Sequence, residues 1–144
     1  MPDSEIDQGV LGSAPGFGLS LHHVQLAMPG GGEEEARRFY RDLIGLQEVE
    51  KPPVLRGRGG AWFRGPALEL HLGVEQEFRA ARKAHPGILT DGLEGLAARL
   101  LEAGVEVSWD TGFPGFWRFY AHDPFGNRLE FLERLPSDRP PQLG

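Results

Sequence analysis

The sequence predicts an α+β fold of two tandem βαβββ modules that share a concave mixed-sheet cleft, and three observations predict it. Two helical stripes of identical spacing each close on a glycine. Each stripe is preceded by one strand-like segment and followed by three. Landmarks also recur in order at nearly constant offset: His23 and His85 lie 62 residues apart, Gly45 and Gly104 59, and Glu69 and Glu130 61. One helix and four strands cannot bury a sheet face alone, so the two units are expected to share a core.

Taken in order, residues 1–18 mix acids, Gly, Ser and Pro without periodicity and read as a flexible arm; residues 136–144 read as a tail of the same kind. The domain is expected over 19–135, with modules at about 20–74 and 84–134. Leu21 to Ala27 alternates as a strand, Val24 and Leu26 on one face, His23 and Gln25 on the other. Neighbours on a strand point oppositely, so His22 is expected away from the cleft. Gly30 to Gly32 leads into Glu33-Glu34-Glu35, acids suited to a helix N-terminus. Ala36, Phe39, Tyr40, Leu43 and Ile44 then form an amphipathic stripe closed by Gly45. Strands are expected at about 46–50, 60–64 and 67–73. The second round begins at His85, with a strand in HPGILT and a capping box of Asp91 and Glu94. A stripe of Leu93, Leu96, Ala97, Leu100 and Leu101 closes on Gly104, and strands follow at 105–109, 117–121 and 127–133.

Composition narrows the chemistry. The chain has 144 residues, a formal charge of −6 and no cysteine. Nucleic acid and anionic membrane surfaces are poor partners for that charge, and no apolar run is long enough to span a bilayer. No export signal is visible, which implies a cytoplasmic protein. Without thiols, a metal must be held by imidazole and carboxylate. If the leucine faces of the strands meet the helices, then His23, Glu69, His71 and Glu130 look into the cleft, and His85 opens the strand equivalent to that of His23. Two imidazoles and a carboxylate converging on one point form a site for a single divalent ion, Fe, Mn, Ni or Zn, with positions open to a bidentate oxygen ligand.

These features resemble the vicinal oxygen chelate superfamily, which includes glyoxalase I, bleomycin-resistance proteins, fosfomycin-resistance thiol transferases and extradiol dioxygenases. The resemblance covers residues 21–134. It rests on His23-Val24-Gln25-Leu26-Ala27, on Phe39-Tyr40-Arg41-Asp42-Leu43-Ile44-Gly45-Leu46, and on Asp123-Pro124-Phe125-Gly126-Asn127-Arg128-Leu129-Glu130. It implies metal ligands at His23, His85 and Glu130, with Glu69 at the place of a further carboxylate that glyoxalase I-like members use. Glu69 and Tyr120 are then the candidate catalytic groups, and His71, Gln25 and Trp62 the candidate substrate contacts. Asp123 reads as part of a turn and carries no catalytic weight. Residues 113–118 are aromatic (FPGFWR) where fosfomycin transferases have a potassium loop and cationic contacts, which counts against that substrate. The implied function is metal-assisted chemistry on a small molecule with vicinal oxygens. The alternative is a metal-free protein that sequesters a drug, as bleomycin-resistance members do. A homodimer is expected in both cases, because open sheets leave edges to cover.

Overall fold

The structure is a computed structural model that describes residue 12 and residues 14–136. Most of the expected arm and all but the first residue of the expected tail lie outside the described residues; residues 14–18 are exposed and have no regular secondary structure.

Two four-stranded mixed sheets make up the fold. The first holds β1 (Val24–Met28), β2 (Gln47–Val49), β3 (Ala61–Arg64) and β4 (Glu69–Val74) in the order β1-β4-β3-β2. The second holds β5 (Gly87–Leu89), β6 (Ser108–Asp110), β7 (Phe116–His122) and β8 (Arg128–Arg134) in the order β5-β8-β7-β6. In each sheet the edge strand β1 or β5 pairs in parallel with its neighbour, and the other ladders are antiparallel. The two βαβββ modules are therefore present as the repeat predicts.

Helix α1 opens with an α-helical turn, Glu33–Ala36, and widens into π-helical turns over Arg37–Leu43. The widening is visible where the Ile44 N–H donates to the Phe39 carbonyl, five residues back, at 2.8 Å. Helix α2 spans Leu93–Glu102. Gly45 and Gly104 follow the two helices with φ of +94° and +82°, the left-handed conformation that ends a helix. Ala36, Phe39 and Tyr40 of α1 and Leu93, Ala97 and Leu100 of α2 join Phe63, Leu70, Leu72, Phe119, Leu129 and Phe131 in one core. The alternation in β4 and β8 thus sends the predicted leucines and Phe131 to the helices.

The modules are tied together on this helix side. The Tyr40 hydroxyl donates to Asp123 at 2.6 Å, the Asn127 amide to the Ala27 carbonyl at 2.8 Å, and Arg99 to the Leu43 carbonyl at 3.2 Å. No helix among the described residues is long and apolar enough to cross a membrane.

Three local expectations need correction. No capping box forms at Asp91. The cap position is Gly92, without a side-chain cap, and Glu94 therefore falls at the second helical position, where it cannot reach back. The Thr90 hydroxyl instead accepts the Gly92 N–H at 3.3 Å. The strand expected at 105–109 is displaced to Ser108–Asp110. His23 and His85 both precede their strands, and they are not equivalent. Gln25 stands opposite His71 and Leu89 opposite Leu132, each two residues beyond Glu69 or Glu130. By those ladders Gly87 occupies the place of His23, and His85 lies two residues earlier.

Candidate functional site

Each sheet turns one polar face away from the helices, and each face carries a carboxylate held by an arginine. On the first, Arg64 and Glu69 are cross-strand partners, and the guanidinium donates to Glu69 Oε1 at 2.6 Å. The Arg64 hydrogen bond is the main reason the Glu69 carboxyl titrates below its ordinary range. The other oxygen, Oε2, lies 3.4 Å from His71 Nε2.

His71 is 3% exposed. Its ring is sandwiched, stacked on Trp62 at 3.9 Å and on His23 at 4.2 Å. Burial first, and then the neighbouring His23, push the His71 pKa down, so the imidazole is neutral near pH 7. Its Nε2 is buried and has no hydrogen-bond partner. His23 Nδ1 lies 2.9 Å from His22 Nδ1, which is itself 3.9 Å from Glu69 Oε2, so the largely exposed His22 reaches the edge of this face rather than pointing away from it as expected. Gln25 lies across Gly73 of β4, where any Cβ would stand 2.5 Å from its amide nitrogen. The first face therefore gathers His23, Gln25, Trp62, Glu69 and His71.

On the second face Glu130 is 7% exposed. Its Oε2 accepts from Arg118 at 2.7 Å, and its Oε1 lies 3.3 Å from His85 Nε2. Gly87 makes the room: a Cβ there would meet Oε1 at 3.2 Å. Arg118 also donates to Asp110 at 3.2 Å. Burial opposes the Arg118 charge, and the bonds to Glu130 and Asp110 outweigh it, so its pKa is raised. His85 Nδ1 lies 2.6 Å from the Lys83 carbonyl, which can only accept. The Nδ1–H is therefore the donor, and Nε2 is the ring nitrogen that faces Glu130, a donor to it when protonated and a ligand when not. Tyr120 stands opposite Glu130 in the β7–β8 ladder, its ring 5.4 Å edge-on from His85.

An imidazole nitrogen and a carboxylate oxygen this close form an ion pair when the nitrogen carries a proton, and when it does not they can share a cation. Two ligands each about 2.0–2.2 Å from one ion stand roughly 3.0–3.5 Å apart. The 3.3 Å His85–Glu130 pair and the 3.4 Å His71–Glu69 pair match that spacing. A second donor of each His or Glu is anchored by an N–H···O=C bond (His85) or by arginine (Glu69, Glu130), as metal ligands commonly are. The donors thus fit a divalent ion by chemistry. They are divided by position, however. Among the described residues no group of three or more His, Asp or Glu could hold a metal ion. No hydrogen bond, ion pair or ring contact joins the His23/Glu69/His71 group to the His85/Glu130 group within the described residues. A cavity of about 350 Å³ between α1 and the end of α2, lined by Phe39, Leu43, Ala103 and Pro124 among others, contains none of these groups.

Residues 20–131 match the model of the Glyoxalase/Bleomycin resistance protein/Dioxygenase superfamily. The chain belongs to this superfamily. Among solved structures, a protein of Bacillus anthracis assigned to the glyoxalase family is 43% identical and has a TM-score of 0.81; the match covers 85% of this chain and all of that one. The fosfomycin resistance protein FosX of Listeria monocytogenes is 13% identical over 85% of this chain and 98% of its own, with a TM-score of 0.65. A lactoylglutathione lyase of Agrobacterium tumefaciens is 23% identical over 78% of this chain and 92% of its own, with a TM-score of 0.58. These last two share the fold. No curated protein matches the chain.

Sequence reasoning in this superfamily member missed Arg64, Arg118 and Arg128. Arg64 and Glu69 straddle the Gly65-Pro66 turn, a spacing that could have signalled a cross-strand pair. Arg118 alternates with core Phe119 and lies diagonal to Glu130, whose direct partner is Tyr120, so the signal there is a weaker one.

Proposed function

We propose that this protein is a divalent-metal-dependent enzyme acting on a small molecule with vicinal oxygens. The observation that carries the reading is the His85–Glu130 pair, whose Nε2 and carboxylate oxygen lie 3.3 Å apart, the separation of two ligands on one ion. His85 and Glu130 hold the ion from the second face, and His23 supplies an imidazole from the first. Bound there, the ion would act as a Lewis acid toward two vicinal oxygens. Glu69, with Oε1 fixed by Arg64 and Oε2 turned toward His71, moves a proton as base. The Tyr120 hydroxyl donates to the charge that develops on substrate oxygen. His71, Gln25 and Trp62 shape the wall against which the substrate lies. A protein that only sequesters a drug has no need of an imidazole–carboxylate pair on each face.

The two faces are brought together by a second copy. β1 and β5 are both sheet edges. Immediately before β1, Phe17, Leu19 and Leu21 are 91%, 91% and 79% exposed, an alternating apolar segment that a partner would cover. In the homodimer the first-module face of one protomer meets the second-module face of the other.

Metal content tests the reading. Protein purified without chelator should carry close to one divalent ion per chain by elemental analysis, and His23→Ala, His85→Ala and Glu130→Ala should each lose most of it while remaining folded. Unchanged content in all three would overturn the assignment.

A further inference from the structure

Of the three arginines on the polar face of the second sheet, Arg134 is exposed at the far end of β8 over Phe116, and the two nearer Glu130 differ in their partners. Arg118 is matched by Glu130 at 2.7 Å and Asp110 at 3.2 Å. Arg128 lies two residues before Glu130 on β8, and so on the same face. It forms no ion pair among the described residues. Its guanidinium instead sits 4.1 Å over the ring of Tyr120, the residue opposite Glu130 and in edge contact with His85. A guanidinium resting on an aromatic face is held in place by the ring's quadrupole and keeps its in-plane N–H donors for another group. That fork suits the paired oxygens of a carboxylate or a phosphoryl group.

Charge balance points the same way. Around Glu130, Arg118 and Arg128 offset Glu130 and Asp110, with Arg134 left to solvent at the strand's far end, and on the first face Arg64 offsets Glu69; the histidines, when neutral, add nothing. A divalent ion bound as proposed above leaves two positive charges uncompensated in a partly buried site, which is costly unless the occupant brings negative charge.

We infer that the substrate is anionic, with a carboxylate or phosphoryl group seated on Arg128 beside the vicinal oxygens that the metal takes. This rests on the metal-dependent reading of the same face, and the experiment separates the two. Three bidentate probes are titrated into metal-loaded protein: acetohydroxamate, which lacks a second anion, malonomonohydroxamate, which adds a carboxylate, and phosphonoacetohydroxamate, which adds a phosphonate. Wild type should bind at least one anionic probe about tenfold or more tighter than acetohydroxamate, and the larger preference identifies the group. Arg128→Gln should abolish that preference and leave acetohydroxamate affinity unchanged, which also shows that the variant is folded and loaded. Equal affinity for all three probes in wild type, which needs no variant, would overturn the inference, as would a preference that survives Arg128→Gln. Metal-free protein supplies the second arm: malonate should raise the melting temperature of wild type and not of Arg128→Gln. If no hydroxamate binds in a metal-dependent way while malonate still stabilises through Arg128, the metal reading fails and the anion site stands. If malonate is also indifferent to Arg128, the anion site fails too.

Discussion

Replacing Tyr40 with Phe removes one hydroxyl and leaves the ring packed against Phe39 and Phe63. Tyr40 is 1% exposed and Asp123 5%, so neither the lost donor nor the remaining acceptor is replaced by bulk water. Asp123 Oδ2 accepts two hydrogen bonds, from Tyr40 at 2.6 Å and from the Asn127 amide at 2.8 Å; Oδ1 accepts from the backbone N–H groups of Phe125 and Asn127. A hydrogen bond to a charged group contributes about 1.5–3 kcal/mol. Because Oδ2 keeps one donor, the lower part of that range applies, and Tyr40→Phe should cost roughly 1.5–2 kcal/mol. Burial, reinforced by the nearby Asp123 charge, holds the Tyr40 pKa far above its usual value, so the phenol remains a donor throughout the neutral range. Equilibrium urea unfolding at pH 7 reads the effect as a midpoint lower by about 1 M, for a slope of about 1.5–2 kcal/mol per molar. Since the bond crosses between modules, the transition should also broaden or split if it couples their unfolding. A loss under about 0.5 kcal/mol would refute the claim that this contact joins the modules.

The remaining predictions concern the site and the assembly. Burial holds the folded-state pKa of His71 below the usual imidazole value of about 6.5, so below about that pH the unfolded chain takes a proton that the folded chain refuses. Stability should therefore fall as pH drops from 7 toward the folded-state pKa of His71 and level off beneath it; denaturation of wild type and His71→Gln across pH 7 to 5 should show a flatter profile in the variant, and parallel profiles would refute the assignment. Serine at positions 17, 19 and 21 together should weaken the dimer by about 100-fold if each side chain contributes roughly 1 kcal/mol, as sedimentation would show; an unaltered dimer removes that segment from the interface.

Local signals were the legible ones. The helical stripes, the glycines at 45 and 104 and the DPFGN turn all rest on neighbours in sequence and appear where expected, except that Leu101, counted in the second stripe, is 56% exposed. Asp123 is structural as read, but its reach to Tyr40, 83 residues away, is a tertiary fact. The alternation in β4 placed Glu69 and His71 on the polar face because a strand's period is two. The register of β5 was not legible. It depends on Gly87, whose missing side chain admits the Glu130 carboxylate, and the offset of 62 residues between His23 and His85 concealed a two-residue slip between the ladders. Nor could the sequence show His85's tautomer, which the carbonyl of Lys83 decides from two residues away.

Aligning the two modules by ladder rather than by sequence shows how one fold carries two different half-sites. With Glu69 set on Glu130, the cross-strand pairs Arg64–Glu69 and Trp62–His71 fall on Tyr120–Glu130 and Arg118–Leu132. The carboxylate is retained, while every other polar position has diverged. In the first module the arginine holding the carboxylate is its direct partner; in the second it comes from two residues along β7, and a tyrosine takes the direct place. The first face consequently offers an aromatic wall and imidazoles, and the second offers guanidinium groups and a phenol. A site made from one of each cannot be symmetric. A substrate that meets the tryptophan–histidine stack on one side and Arg128 on the other has a defined direction, its apolar or neutral end toward β3 and β4 and its anionic end toward β7 and β8. In a homodimer that direction runs from one protomer to the other in each of two equivalent sites, so a copy altered at Arg128 and a copy altered at His71 should together form a hybrid with one intact site and one doubly altered site. Mixing inactive or weakly binding single variants and recovering about half a site per chain would support the exchange of faces between protomers; no recovery in hybrids shown to have formed would place each site within one chain.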